Sequence, residues 1–318
     1  MTLLYFDPFF LAHQTGGHPE RPERLVHVMR HLERTGLDKR CARPEWHPAS
    51  PEQLTRVHGA EYLAELQAFC AQGGGRVEED TVCSEESYEV ARLAAGAVCN
   101  AVERVVRGED TQALCLVRPP GHHALPDSAM GFCLFGNVAV GARLATANLG
   151  LNRVLIVDWD VHHGNGTQAI FWEDPQVGFL SIHRWPFYPG TGAADEAGGG
   201  KAAGIKVNLP VEFGTPRAEY LARFRAGLER LADKMRPELV IVSAGFDAHR
   251  DDPIGSLGLE TEDFGQLTQD VLDIARVHSG GRVVSVLEGG YNTGILAGCV
   301  ALHLETMLQA NSTTPSSV

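Results

Sequence analysis

The stretch Asp158-Trp-Asp-Val-His-His-Gly-Asn-Gly-Thr167 follows directly on the apolar run Arg153-Val-Leu-Ile-Val157. Potential metal ligands therefore stand at the end of a strand-like segment. Extended residues alternate sides, so Asp158, Asp160 and His162 project from one face if the strand geometry continues past Val157. Mixed carboxylate and imidazole ligation suits Zn²⁺ or Fe²⁺, and three protein ligands leave a position open for water or substrate. The remaining ligand is expected from another strand. The best candidate is Asp247, in Ser243-Ala-Gly-Phe-Asp-Ala-His249, which follows the apolar run Glu238-Leu-Val-Ile-Val242.

Two further apolar runs end in polar chemistry. Ala113-Leu-Cys-Leu-Val117 leads into Arg118-Pro-Pro-Gly-His-His123, and Val283-Val-Ser-Val-Leu287 leads into Glu288-Gly-Gly-Tyr291. A metal in such a site makes water acidic enough to supply hydroxide near pH 7 and polarises a carbonyl, which is the chemistry of acyl-group hydrolysis. Amide hydrolysis also needs a base for the water and an acid for the leaving amine, and His122 with His123 offers both. Asp158 and Asn165 are candidates to orient them, since a carboxylate favours imidazolium while an amide mainly fixes the tautomer. Tyr291, presented by two glycines, is placed to donate its hydroxyl to a developing oxyanion.

The elements that must position these groups alternate along the chain. Strands are expected near 2–6, 113–117, 153–157, 177–182, 205–209, 238–243 and 282–287, with helices near 20–35, 84–107, 136–149, 216–235, 260–279 and 294–310. That alternation predicts an α/β fold with a central, mostly parallel sheet and helices on both faces, in which ligands bind outside the carboxyl ends of the strands. Ser84, Thr215-Pro216 and Thr261 read as helix starts. Gly73–Gly75, Gly198–Gly200 and a tail from about 311 to 318 read as flexible, within a chain expected to form a single domain over 1–318.

Composition narrows the function classes. A hydrophobic share of 44% in 318 residues can bury a large core. No stretch approaches the roughly 20 apolar residues of a membrane helix, and the amino terminus turns acidic too soon for a signal peptide. Seven scattered cysteines without CxxC spacing suggest reduced thiols and a cytoplasmic location. The formal charge of −13 argues against direct nucleic-acid binding and tolerates cationic substrates.

Taken in order, His18-Pro-Glu-Arg-Pro-Glu-Arg24, Arg118 to Ala124, Gly131-Phe-Cys133, Asn137, Asp158 to Thr167, Tyr188-Pro-Gly-Thr-Gly192, Gly245-Phe-Asp247 and Glu288 to Asn292 resemble the zinc-dependent histone deacetylase superfamily. That superfamily includes acetylpolyamine amidohydrolases and bacterial deacetylase-like enzymes. The resemblance covers nearly the whole chain and implies the three-layer α/β/α arginase-like fold, with Asp160, His162 and Asp247 as zinc ligands and His122 and His123 as the proton-transfer pair. It further implies a structural K⁺ touched by Asp158, Asp160, His162, Ser181 and Ile182, and tunnel walls formed by Phe132 and Tyr188. Asp80 then corresponds to a rim carboxylate that holds substrate backbone, and Arg24 to an internal channel residue. Asn165 stands where many members carry Asp. Ile254 occupies the mouth position at which Glu would favour polyamines. The expected substrate is an acyl-lysine protein or peptide, with acetylated polyamines as the alternative; the oligomeric state is left open. A catalytically idle acyl-lysine binding module would not require a hydroxide generator, and a binuclear ureohydrolase would need more bridging carboxylates than the chain presents here. The other histidines, His18 and His303 among them, read as surface or core residues.

Overall fold

The computed structural model describes residues 2–313. Its strands are β1 (Thr2–Tyr5), β2 (Cys41–Ala42), β3 (Gly75–Arg76), β4 (Val82–Cys83), β5 (Gln112–Cys115), β6 (Val154–Asp158), β7 (Val177–Arg184), β8 (Lys206–Val211), β9 (Leu239–Ala244) and β10 (Val283–Leu287). Its α-helices are α1 (Glu23–Thr35), α2 (Pro51–Leu54), α3 (Ala60–Ala71), α4 (Ser87–Arg107), α5 (Asn137–Ala147), α6 (Asn165–Ile170), α7 (Arg217–Met235), α8 (Thr261–His278) and α9 (Thr293–Thr313).

Eight strands form one sheet in the order β2-β1-β5-β10-β9-β6-β7-β8, with every neighbouring pair parallel. Parallel strands need covering on both faces, which explains why β5, β6, β9 and β10 are near-continuous apolar runs, buried throughout. Helices α1, α9, α8 and α7 pack in series on one side, while α4 and α5 pack together on the other. This is the expected three-layer architecture.

The order brings the four strands that precede reactive segments side by side, as β5-β10-β9-β6. Their register is level: Asp158 pairs with Ser243 on one side and Ser181 on the other, and Ala244 pairs with Leu287. Residues just past each strand therefore emerge at the same height, above one sheet edge.

Several boundaries differ from the sequence expectations. Helix α1 starts after Pro22, not at 20, because the Pro-containing segment before it supplies no regular hydrogen-bond ladder. Ser84 does not open α4; the Ser87 hydroxyl accepts the Ser84 N–H instead, and the helix begins at Ser87. Glu260, not Thr261, caps α8, in a reciprocal box with Asp263. In the two glycine runs expected to be flexible, Gly74 N–H donates to Phe69 O at 3.1 Å and Gly199 N–H to Trp172 O at 2.9 Å. At the carboxyl end α9 continues to Thr313, past the expected onset of the tail at 311, and 314–318 lie outside the described residues. Among the described residues no helix is long and apolar enough to cross a membrane.

Buried histidines make this packing sensitive to acid. His303 bridges Thr268 Oγ1 at 2.6 Å and Ser285 Oγ at 2.8 Å, and burial lowers it to about 3; burial likewise lowers His58 to about 4. Both are neutral when folded and titrate normally when unfolded, so their stabilisation is complete above the unfolded value of 6.5 and is lost as pH falls toward the folded values. Between pH 6.5 and 5 each should cost about 2 kcal/mol of stability. Urea unfolding at pH 7 and pH 5 should show this loss, and His303→Asn should reduce the difference. An unchanged difference would show that His303 does not carry it.

Candidate metal centre and catalytic site

The parallel ladder of β6 ends at Asp158, and the chain then continues across the sheet edge with Asp160 and His162. Asp160, His162 and Asp247 are all buried, and one potential ligand atom from each lies within 4.8 Å of the others. Backbone donors fix the carboxylates: Gly289 N–H reaches Asp160 Oδ2 at 2.8 Å, His162 N–H reaches Asp160 Oδ1 at 2.9 Å, and Val161 N–H reaches Asp247 Oδ1 at 2.9 Å. The glycines beside them are required by space. A Cβ on Gly289 would lie 2.2 Å from Asp247 Oδ2, and one on Gly245 would lie 2.1 Å from Asp160 Oδ2.

The residues present fit a cation. Asp247 Oδ2 is buried and accepts no hydrogen bond, with His162 Nδ1 3.2 Å away. Burial and the neighbouring Asp160 push Asp247 up to about 7, as expected of a buried carboxylate short of positive charge. Two carboxylates and an imidazole form a donor set suited to a divalent metal of the Zn²⁺ or Fe²⁺ kind.

The histidine pair sits beside this cluster in two different environments. His122 Nδ1 meets Asp158 Oδ2 at 3.0 Å, and its Nε2 is 3.8 Å from Asp160 Oδ1. Burial opposes charge on this ring, but Asp158 and Asp160 outweigh it and raise His122 to about 10. His123 Nδ1 meets the amide oxygen Asn165 Oδ1 at 2.7 Å. Burial, followed by the His122 and His162 rings, drives His123 well below its ordinary value. The surroundings thus favour charge on the first ring and neutrality on the second, and the Asn165 amide oxygen favours a proton on the second ring's Nδ1.

Around them, Phe132 packs edge-on against Tyr291 with centroids 5.7 Å apart, and Tyr188 lies 5.4 Å from His123 and 6.0 Å from His162. Phe132 sits at φ 70°, with its N–H held by Thr81 Oγ1 at 3.0 Å. Asp80 lies against Tyr188: burial, then Asp80, raises the Tyr188 hydroxyl. Burial and Asp247 hold Tyr291 well above the ordinary tyrosine range, so its hydroxyl keeps its proton. Ser181 lies opposite Asp158 across β6 and β7 and bonds His183 Nδ1 at 2.9 Å, while Ile182 is fully buried beside it. Arg24 is buried; its Nε donates to Gly290 O at 2.7 Å, and it also bonds Glu288 O and Glu20.

Three contributors escaped the sequence reading. Asp252 accepts the Tyr291 N–H at 2.7 Å through one oxygen and those of Ile254 and Gly255 at 2.9 and 3.0 Å through the other. It thereby ties Ile254 to the segment that presents the tyrosine. The Asp-Pro dipeptide is a turn signal that could have flagged it. Phe187 stacks on His162 at 5.3 Å and 16°. His18, expected at the surface or in the core, instead packs its ring 4.4 Å from that of Phe132 and bonds Asp80 O at 3.0 Å.

A model of the histone deacetylase domain matches residues 18–307. The chain is 38% identical over 325 residues to a histone deacetylase-like amidohydrolase of Pseudomonas aeruginosa, covering 96% of this chain and 86% of that protein. It is 42% identical over 308 residues to polyamine deacetylase HDAC10 of Homo sapiens, covering 91% of this chain and 44% of that longer protein. Among solved structures, the HD domain of HDA15 gives a TM-score of 0.91 at 37% identity, over 96% of this chain and 91% of that one.

The geometry predicts one divalent ion per chain at the triad. Asp160→Ala and Asp247→Ala should each hold less than about a tenth of the wild-type metal by elemental analysis. Chelation should lower the melting temperature of the wild type and leave these variants unmoved, since an ion bound only by the folded state stabilises it. A folded Asp247→Ala protein with full metal would exclude this ligand set.

Proposed function

The chain belongs to the histone deacetylase family and is an amide hydrolase, and from that premise we propose that it removes acetyl or other short acyl groups from lysine ε-amino groups of proteins or peptides. The observation that carries this reading is the split environment of the histidine pair beside the ligand cluster, Asp158 behind one ring and Asn165 behind the other. A lone binding pocket has no use for one charged and one neutral imidazole side by side.

Asp160, His162 and Asp247 would hold Zn²⁺, or Fe²⁺ on the same donor set, and when bound the ion supplies the Lewis acidity that acidifies water and polarises the amide carbonyl. Asp158, Asp160, His162, Ser181 and Ile182 would hold a structural K⁺ through side-chain or main-chain oxygens. His123 donates its Nδ1 proton to Asn165 and keeps Nε2 free, so it takes the proton from water. His122, held charged by Asp158, supplies a proton to the leaving amine. Tyr291 offers its hydroxyl to the oxyanion as the carbonyl carbon becomes tetrahedral. Phe132 and Tyr188 flank the aliphatic stem with flat rings, Asp80 accepts from substrate backbone at the rim, and Ile254 lines the mouth. The chain acts as one catalytic domain, and its seven unpaired cysteines support a cytoplasmic location.

The identity with a protein named as a polyamine deacetylase supports a second reading, deacylation of small acetylated amines. The apolar Ile254 at the mouth supports the peptide reading, because a cationic polyamine gains nothing from it. Parallel turnover assays on acetyl-lysine peptides, longer acyl-lysine peptides and acetylated polyamines, with a chelator control, should show chelator-sensitive release favouring a peptide. Preference for polyamines would replace the first reading with the second, and no turnover by the metal-loaded protein would overturn both. Tyr291→Phe should retain its metal and lose roughly 100-fold or more in kcat; turnover within a factor of about two would remove the tyrosine from the oxyanion role.

A further inference from the structure

Glu288, the first residue after β10, is fully buried, and none of the chemistry above uses it. Its Oε2 accepts the Gly121 N–H at 2.7 Å and the His122 N–H at 3.3 Å, and its Oε1 accepts the Ser243 hydroxyl at 3.0 Å. Strand β10 lies between β5 and β9, so one side chain at its end joins β9 to the segment that follows β5. The peptide it grips is the one that carries both catalytic histidines. That turn is also held from its other side, by Asn137 Nδ2 on Pro119 O at 3.1 Å, and a Cβ on Gly121 would lie 2.6 Å from Asn137 N.

Burying this carboxylate is expensive: desolvation raises Glu288 to about 7, even with the charged His122 ring drawing it down. A strand end that needed only packing would be filled better by an apolar side chain of similar volume. We infer that Glu288 is a positioning residue for the hydrolysis, fixing the backbone of Gly121 and His122 and so the aim of both imidazoles at the substrate. The inference rests on the proposed proton-transfer roles of His122 and His123.

Glu288→Gln, Glu288→Asp, Glu288→Ala and His123→Ala are compared with the wild type in metal content, melting temperature, and kcat and KM on an acyl-lysine peptide. Glutamine can turn its oxygen to the two N–H groups and its amide to Ser243 Oγ, so Glu288→Gln should stay within about threefold of wild-type kcat. Aspartate retains the charge but is one methylene short, and should lose about tenfold. Alanine should lose up to roughly 100-fold, the scale of an ångström-level misplacement. Metal content and KM should hold throughout. A folded Glu288→Ala or Glu288→Asp protein with wild-type kcat would overturn the inference, as would a loss that follows metal content or KM, or a glutamine variant as slow as the alanine one. If instead His123→Ala keeps wild-type kcat, the proton-transfer reading fails at its own residue, whatever Glu288 does.

Discussion

Four carboxylates withdrawn from water at one sheet edge govern this structure. Asp158, Asp160, Asp247 and Glu288 are each fully buried, and an ionised group in such surroundings persists only when donors and opposite charge surround it. Backbone supplies much of what is needed: N–H groups of Gly121, Asp160, Val161, His162 and Gly289 all end on these side chains. Delivering so many N–H groups to one point requires strand ends that are adjacent, level and free of Cβ atoms where they converge. The strand order, the register and the glycines beside Asp160 and Asp247 all answer that single electrostatic requirement.

The same field separates the two histidines. They are sequence neighbours with ring centroids 4.0 Å apart, yet one faces a carboxylate and the other a carboxamide. Charge on the first ring discourages charge on the second, so neighbouring groups of one chemical type are shifted in opposite directions without any difference in exposure. Asn165 matters here because a second carboxylate at that position would pull the second ring toward the charged form as well.

The convergence of these polar groups was legible in the sequence because each follows an apolar run. Parallel strands buried on both faces write themselves as such runs, and their carboxyl ends collect ligands. What was missed has a different physical origin. Asp252 acts by accepting the backbone N–H of Tyr291 from a distant part of the chain, and no spacing rule records that; Glu288 was visible at the end of its apolar run, but its bond to the Gly121 N–H was not. His18 reaches Phe132 across more than a hundred residues, through a fold that no local pattern specifies. Short elements such as β2, the β3–β4 hairpin and α6 have too few residues to show a period, so they too emerge only from tertiary contacts.

Asp252 joins two segments, since one of its oxygens secures the backbone of Ile254 and the other that of Tyr291, the residues proposed above for the mouth and for the oxyanion. A substitution that reshapes the mouth to admit a bulkier or more polar molecule therefore strains the same carboxylate that seats the tyrosine. On the proposed roles, breadth of substrate and speed of turnover are not separate dials. Divergence toward a new substrate has to proceed either by changes that leave the Asp252 turn in place or by paired changes that re-seat the tyrosine.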